Sequence, residues 1–375
     1  MKSALVSIFI FSMMVSGCIS ESIEEKLSDG NMISPDDYVW EDDGELVIVT
    51  YDVTGLTDEL LSEFENQSGY KVNLMKLEDA GSILSHLLQH KNVQIADIAL
   101  GLDNTYLQTA IENQVLWEHF ANISGLYENV LGPYSGPLAT PFDHGYICLN
   151  YDTQIVDGEN LTVPTNLWEL TEDEWKGKIA IPSPETSSPG RAFMTATIDY
   201  FANDGDNQTD WRDWWTSISQ NDAIITTGWS EAYETHYTGG YGEYTEGYVG
   251  DAHIVVSYCH SPGVEAWYSG NWTKSAALDL PRASFHQIEY VSAVEGGNLG
   301  AASAFIEYLL SEDVNQKMPT ENFMYSVLDG SDLPEDDGYR YHSTIPSQVA
   351  EITPEEISAN MEMWLEEWNK AMVAV

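Results

Sequence analysis

Glu45-Leu46-Val47-Ile48-Val49-Thr50-Tyr51 is a β-branched, apolar run that reads as a strand. Thr57-Asp58-Glu59-Leu60-Leu61-Ser62-Glu63-Phe64 follows, with a Thr cap and helical spacing. Residues 71–77 read as the next strand, 82–88 as a helix, 96–101 as a third strand and 104–111 as a helix. Strand-helix-strand alternation with short connections indicates an α/β fold with a parallel sheet. A second series begins after Pro141. It has strands at 145–151, 175–181 and 254–258, and helices at 191–201 and 299–310. A last helix opens at Thr353-Pro354-Glu355-Glu356, with Pro at its first position. Residues 239–250 form a Gly/Tyr-rich loop.

The 375 residues carry 14 Lys and Arg against 61 Asp and Glu, and 14 minus 61 gives the net charge of -47. That balance excludes nucleic acid as a partner, because phosphate contacts need clustered cations. It also disfavours a polybasic membrane patch. Hydrophobic residues at 43% and aromatics at 11% exclude a disordered acidic chain. The length suits two domains or lobes.

Met1-Lys2, an uncharged apolar run over 4–15 and Ser16-Gly17-Cys18 read as an export signal over 1–17. The Val15-Ser16-Gly17-Cys18 ending resembles a lipoprotein box, so Cys18 is the expected lipid attachment point. A diacylated Cys18 would hold the protein on the outer face of the cytoplasmic membrane, periplasmic or at the cell surface. Residues 18–44 then form a lipidated, acidic tether. Of the other two cysteines, Cys148 and Cys259 either pair or remain buried thiols, and the apolar neighbours of Cys148 favour a buried thiol. Asn66, Asn122, Asn160, Asn207 and Asn271 head Asn-x-Ser/Thr sites, where an exported chain can carry sugar.

No GxxxxGK[ST], HExxH, CxxC or Gly-x-Ser-x-Gly motif occurs, and no His pair has helical metal spacing with an acid. No cofactor, metal or catalytic residue is therefore expected. Polar and aromatic residues cluster instead where predicted strands end, the ligand-binding edge of open α/β sheets. These are Tyr51-Asp52, Asp79-Ala80-Gly81, Asp103, Ser187-Ser188, Trp229 with Tyr233, and Tyr258. Each alone has an ordinary reading as a cap or a core aromatic. Together, aromatics and carboxylates favour a flat cation, and the predicted helix start near Ser187 suits an anion such as phosphate.

At these residues the chain resembles the periplasmic thiamine-binding proteins of ABC importers. The resemblance runs from Glu45 to Asn369 through Leu77-Glu78-Asp79, Pro141-Phe142-Asp143-His144-Gly145-Tyr146, Thr186-Ser187-Ser188-Pro189-Gly190, Gly228-Trp229-Ser230-Glu231-Ala232-Tyr233, Ser257-Tyr258 and Pro319-Thr320. It implies a two-lobed type 2 binding-protein fold, each lobe a sheet flanked by helices. Lobe 1 would comprise 45–141 plus 293–375 and lobe 2 residues 142–292, with crossings near 141–146 and 288–294. It implies thiamine or a thiamine phosphate as ligand, and a permease with its ATPase as partners of a monomer.

By position, Tyr51, Asp79, Ala80, Ser187, Trp229, Tyr258 and Phe323 are expected at the ligand. Asp52, Gly81, Asp103, Asp143, Ser188, Tyr233 and Trp267 form an outer set. Phe323 stands where the family has a stacking Trp, Val264 replaces an aromatic that Trp267 could supply, and the loop over 238–250 is longer than the family pattern. Alternatives on this fold are a site for ferric iron, a polyamine or another small cation. A third class is a thiamine-cleaving enzyme with a Cys nucleophile, for which Cys259 beside Tyr258 and Cys148 after the first crossing are the candidates.

Overall fold

The computed structural model describes residues 42–132, 135–206, 208–240 and 250–373. The expected signal, Cys18, nearly all of the expected tether, Asn207 and residues 241–249 of the Gly/Tyr-rich loop lie outside them. Strand β1 (Glu45–Tyr51) pairs in parallel with β2 (Lys71–Leu77) and β3 (Ile98–Asp103). Helices α1 (Asp58–Ser68), α2 (Ala80–Gln89) and α3 (Leu107–Glu112) alternate with them. Thr57 Oγ1 caps α1 by accepting from Leu60 N at 3.3 Å, and Gly69 ends it at φ 86°. α1 turns Leu60 and Phe64 inward, and Phe64 meets Phe305 edge-on at 5.0 Å.

The short strand β4 (Leu116–Trp117) precedes the long β5 (Thr140–Asp152). Then come β6 (Ile179–Pro182), α4 (Ser188–Asn203), α5 (Trp211–Gln220), β7 (Ile224–Thr226), β8 (Ile254–Tyr258), α6 (Ser261–Ser269) and β9 (Ser275–Ala277). The chain continues through β10 (Phe285–Val294), α7 (Leu299–Leu309), β11 (Tyr325–Ser326) and α8 (Pro354–Val373). The sheet order is β2-β1-β3-β10-β5-β8-β6-β7. Its outer groups are parallel, as the alternation predicts. Its centre is not: β10 runs antiparallel to β3 and β5, and β5 antiparallel to β8.

Two hydrophobic cores flank this centre. One gathers Ile48, Ile98, Leu100 and Phe305, and the other Trp175, Phe193, Trp214 and Trp215. β5 gives Phe142 to the first and Ile147 to the second, and β10 gives Tyr290 to the first and Phe285 to the second. These two strands thus carry the chain between two lobes.

The chain end departs from the expected division. α7 packs on the first core, but Ile357, Met361, Trp364 and Trp368 of α8 bury in the second. The apolar stripe of α8 matches the Trp face of α5, where Trp368 meets Trp215 edge-on at 5.8 Å. Cys148 also departs from the buried-thiol expectation, because it forms a disulfide with Cys259. Cys148 pairs with Ser257 across β5 and β8, so Cys259, two residues on, shares its face as the diagonal neighbour.

Candidate ligand-binding site

A cavity of about 380 Å³ lies between the lobes where strand ends from both converge. Tyr51 closes β1, and its hydroxyl donates to Glu289 Oε2 at 2.8 Å and accepts from Asn322 Nδ2 at 3.2 Å. Its ring lies across Gly101, which has φ +101°, and a Cβ there would come within 2.3 Å of the ring. Asp79 caps α2 by accepting from Ser82 N at 2.9 Å, and burial pushes its carboxyl upward. Ala80 begins that helix beside it.

From the second lobe, Ser187 caps α4, and Trp229 donates Nε1–H to Ser257 Oγ at 2.8 Å. Tyr233 stacks behind Trp229 at 4.9 Å and donates its hydroxyl to Glu265. Tyr258 meets Trp229 edge-on at 6.4 Å and accepts from Gln287 Nε2 at 3.1 Å. Phe323 completes the wall at φ 56°.

The structure thus brings Tyr51, Asp79, Ala80, Ser187, Trp229, Tyr258 and Phe323 to one cavity, together with Asp52 and Ser188 of the outer set. Gly81 sits behind the wall against Tyr106, and Tyr233 supports Trp229 from beneath. Asp103 and Asp143 lie under the floor, one strand to either side of Glu289. Trp267 does not replace the aromatic missing at Val264. Val264 itself lines the cavity, while Trp267 packs toward Tyr339 at 6.4 Å between ring centroids. Three residues along α6 amount to about 4.5 Å of rise, which carries Trp267 away from the cleft.

Glu289, Asn322 and His260 also line the cavity and were not singled out in the sequence as ligand candidates. For Glu289 a signal existed: it is the one charged side chain among otherwise mostly apolar residues in β10. Asn322 positions the floor by donating to Asp143 and Tyr51 while accepting from Gly55 N. Burial lowers His260 to about 4, so its ring is neutral at ordinary pH.

The lining includes the carboxylates of Asp52, Glu78, Asp79, Glu231 and Glu289, and no Lys or Arg. Arg191 stands nearby but is engaged elsewhere: its guanidinium covers the Tyr106 ring at 3.8 Å and Nε donates to Pro184 O at 3.1 Å. The helix start at Ser187 is weaker as an anion site than expected. Its hydroxyl already accepts from Gly190 N at 3.5 Å, and Pro189 has no N–H. Aromatic faces above carboxylates, without basic groups, can hold a flat cation by stacking, cation–π attraction and charge pairing.

Two lobes joined by paired central strands, with a lined cavity at the strand ends between them, define a protein that captures a small solute. Residues 59–336 match the family described as bacterial extracellular solute-binding protein, and the chain belongs to that family. It is 27% identical over 310 residues to a thiamine-binding periplasmic protein of Salmonella typhimurium, covering 82% of this chain and 86% of that one. A solved periplasmic thiamin binding protein superposes with a TM-score of 0.71 at 25% identity, covering 88% of this chain and 96% of that one. The iron-bound HitA from Pseudomonas aeruginosa shares the fold, with a TM-score of 0.66 at 14% identity over 87% of this chain and 99% of that one. The fold is the two-lobed type 2 binding-protein fold, and the location is extracytoplasmic.

One alternative weakens on this geometry. The thiol required by a thiamine-cleaving enzyme is bound in the disulfide, with Cys148 and Cys259 both fully buried.

Proposed function

We propose that this protein captures thiamine between its lobes and delivers it to an ABC import permease and its ATPase. The observation that carries this reading is the cavity itself: Tyr51, Trp229, Tyr258 and Phe323 face carboxylates, with no basic side chain in the lining. A thiazolium ring is flat and permanently cationic, so this wall fits it by ring stacking and charge. The likeness to relatives named for thiamine binding supports the same ligand. The charge of the lining favours unphosphorylated thiamine over its mono- and pyrophosphate, whose anions gain no cationic partner there. Attachment through a diacylated Cys18 completes the reading, and it rests on the sequence around that residue.

Calorimetry with thiamine, thiamine monophosphate and thiamine pyrophosphate tests the proposal. Thiamine is expected to bind at least tenfold tighter than the pyrophosphate. Trp229→Ala is expected to weaken thiamine by about 2 kcal/mol, roughly 30-fold, through lost stacking. Absence of both heat and thermal shift at millimolar thiamine rejects the ligand.

A further inference from the structure

Glu289 of β10 stands in register with Asp103 of β3 on one side and Asp143 of β5 on the other. Adjacent strands lie roughly 5 Å apart, so the three acids form one row across the floor of the cleft. Glu289 is 5% exposed and reaches the cavity, while Asp103 and Asp143 are fully buried.

The groups facing this row are almost all uncharged. Tyr51 of β1 and Gln287 of β10 donate to the two oxygens of Glu289, at 2.8 and 2.9 Å. Asn322 donates to Asp143, and Thr105 donates twice to Asp103. Tyr258 of β8 closes the row beside Gln287. The cation nearest Asp103 is Arg191 of α4, beyond the Tyr106 ring. Asp143 Oδ1 is buried without a hydrogen-bond partner. Adjacent carboxyls so deeply buried cannot all ionise, because each charge repels the next and burial removes most of the water that would stabilise it. Burial, the leading cause, accordingly moves all three carboxyls upward, Glu289 to about 7.

We propose that this row exchanges a proton for the positive charge of the ligand. In the empty cleft Glu289 and Asp143 retain a proton that one carboxylate alone would have lost. When a cationic ligand enters above Glu289, the O–H bond breaks heterolytically, the proton leaves to solvent, and the electron pair stays on the carboxylate that faces the cation. The charge of the site is the same before and after, so neither state leaves an unbalanced buried charge. Glu289 thereby selects for charge: a neutral molecule of the same shape cannot discharge the proton and gains no ion pair. This inference rests on the cationic-ligand reading above and specifies how that charge is recognised.

Titration of thiamine into the signal-free protein near pH 6.5, in two buffers of small and large ionisation enthalpy, counts the protons released. Half to one proton per ligand is expected, with affinity rising toward tenfold per pH unit below about pH 7 and levelling off above it. Glu289→Gln, verified as folded by its melt, is expected to abolish the buffer difference, flatten the pH profile and weaken binding about tenfold above pH 8. Equal heats in both buffers with thiamine bound overturn the exchange and leave the ligand reading intact. So does a Glu289→Gln protein that keeps the wild-type pH slope. No binding in either buffer rejects the ligand reading, and the exchange falls with it. Should Glu289→Gln fail to fold, the two-buffer titration of the wild type still decides.

Discussion

Phe323 holds its ring at the cavity wall from a left-handed backbone position, edge-on to Tyr268 at 5.7 Å. A phenyl face attracts a cation less than an indole does. Phe323→Trp is therefore expected to tighten thiamine roughly 2- to 5-fold, read by calorimetry; unchanged or weaker binding would refute this. Glu265 acts one layer back, accepting from Tyr233, Thr273 and Ser275 beneath Trp229. Burial raises its carboxyl to about 7. A raised folded value means that the native state holds a proton which the unfolded chain releases near pH 4.5. Its stabilising contribution is full below about pH 4.5 and is lost as pH rises through about 7. Thermal melts from pH 5 to 9 are expected to show the wild type losing about 3 kcal/mol relative to Glu265→Gln. Parallel profiles for the two proteins would refute this.

At the scale of elements, β5 and β8 are joined both by their ladder and by the Cys148–Cys259 disulfide, which closes a separation of 111 residues. A bridge over so long a loop restricts the unfolded chain strongly. The double substitution Cys148→Ala and Cys259→Ala is expected to cost about 2–5 kcal/mol in denaturant unfolding while leaving thiamine affinity within about twofold, since neither sulfur reaches the cavity. The ends of the elements were less legible than their existence. Strand 45–51 read correctly as a β-branched run and 71–77 as a short run with apolar Val72, Leu74 and Leu77, both bounded by Gly and acidic residues. The regular body of α4 read from 191, three residues late, although its opening near Ser187 was legible, and Ser187 does cap it. β5 read short because Pro141 resembles a boundary, yet the strand runs from Thr140 to Asp152 and so reaches both lobes.

For the whole molecule, the net charge of -47 is spread over a surface on which many described ion pairs are exposed, such as Lys370–Glu366 and Arg340–Glu335. Such pairs stabilise little, and like-charge repulsion opposes compaction. Raising NaCl from about 0.05 M to about 1 M is expected to raise the melting temperature by several degrees as the repulsion is screened. An unchanged melt would mean that the acids are too well hydrated and separated to matter. The lobes meet directly where Arg191 lies over Tyr106.

The sequence by itself determined the α/β alternation, the family and a set of residues at strand ends that line one cavity, because periodicity, caps and ordered motifs are local properties. The tertiary structure decided what depends on contacts distant along the chain. It paired Cys148 with Cys259, sent α8 to the second core, and turned Trp267 away from the cleft. It also assembled Asp103, Asp143 and Glu289 into one row, which no single segment could reveal, because only the register of β3, β10 and β5 places the three acids side by side.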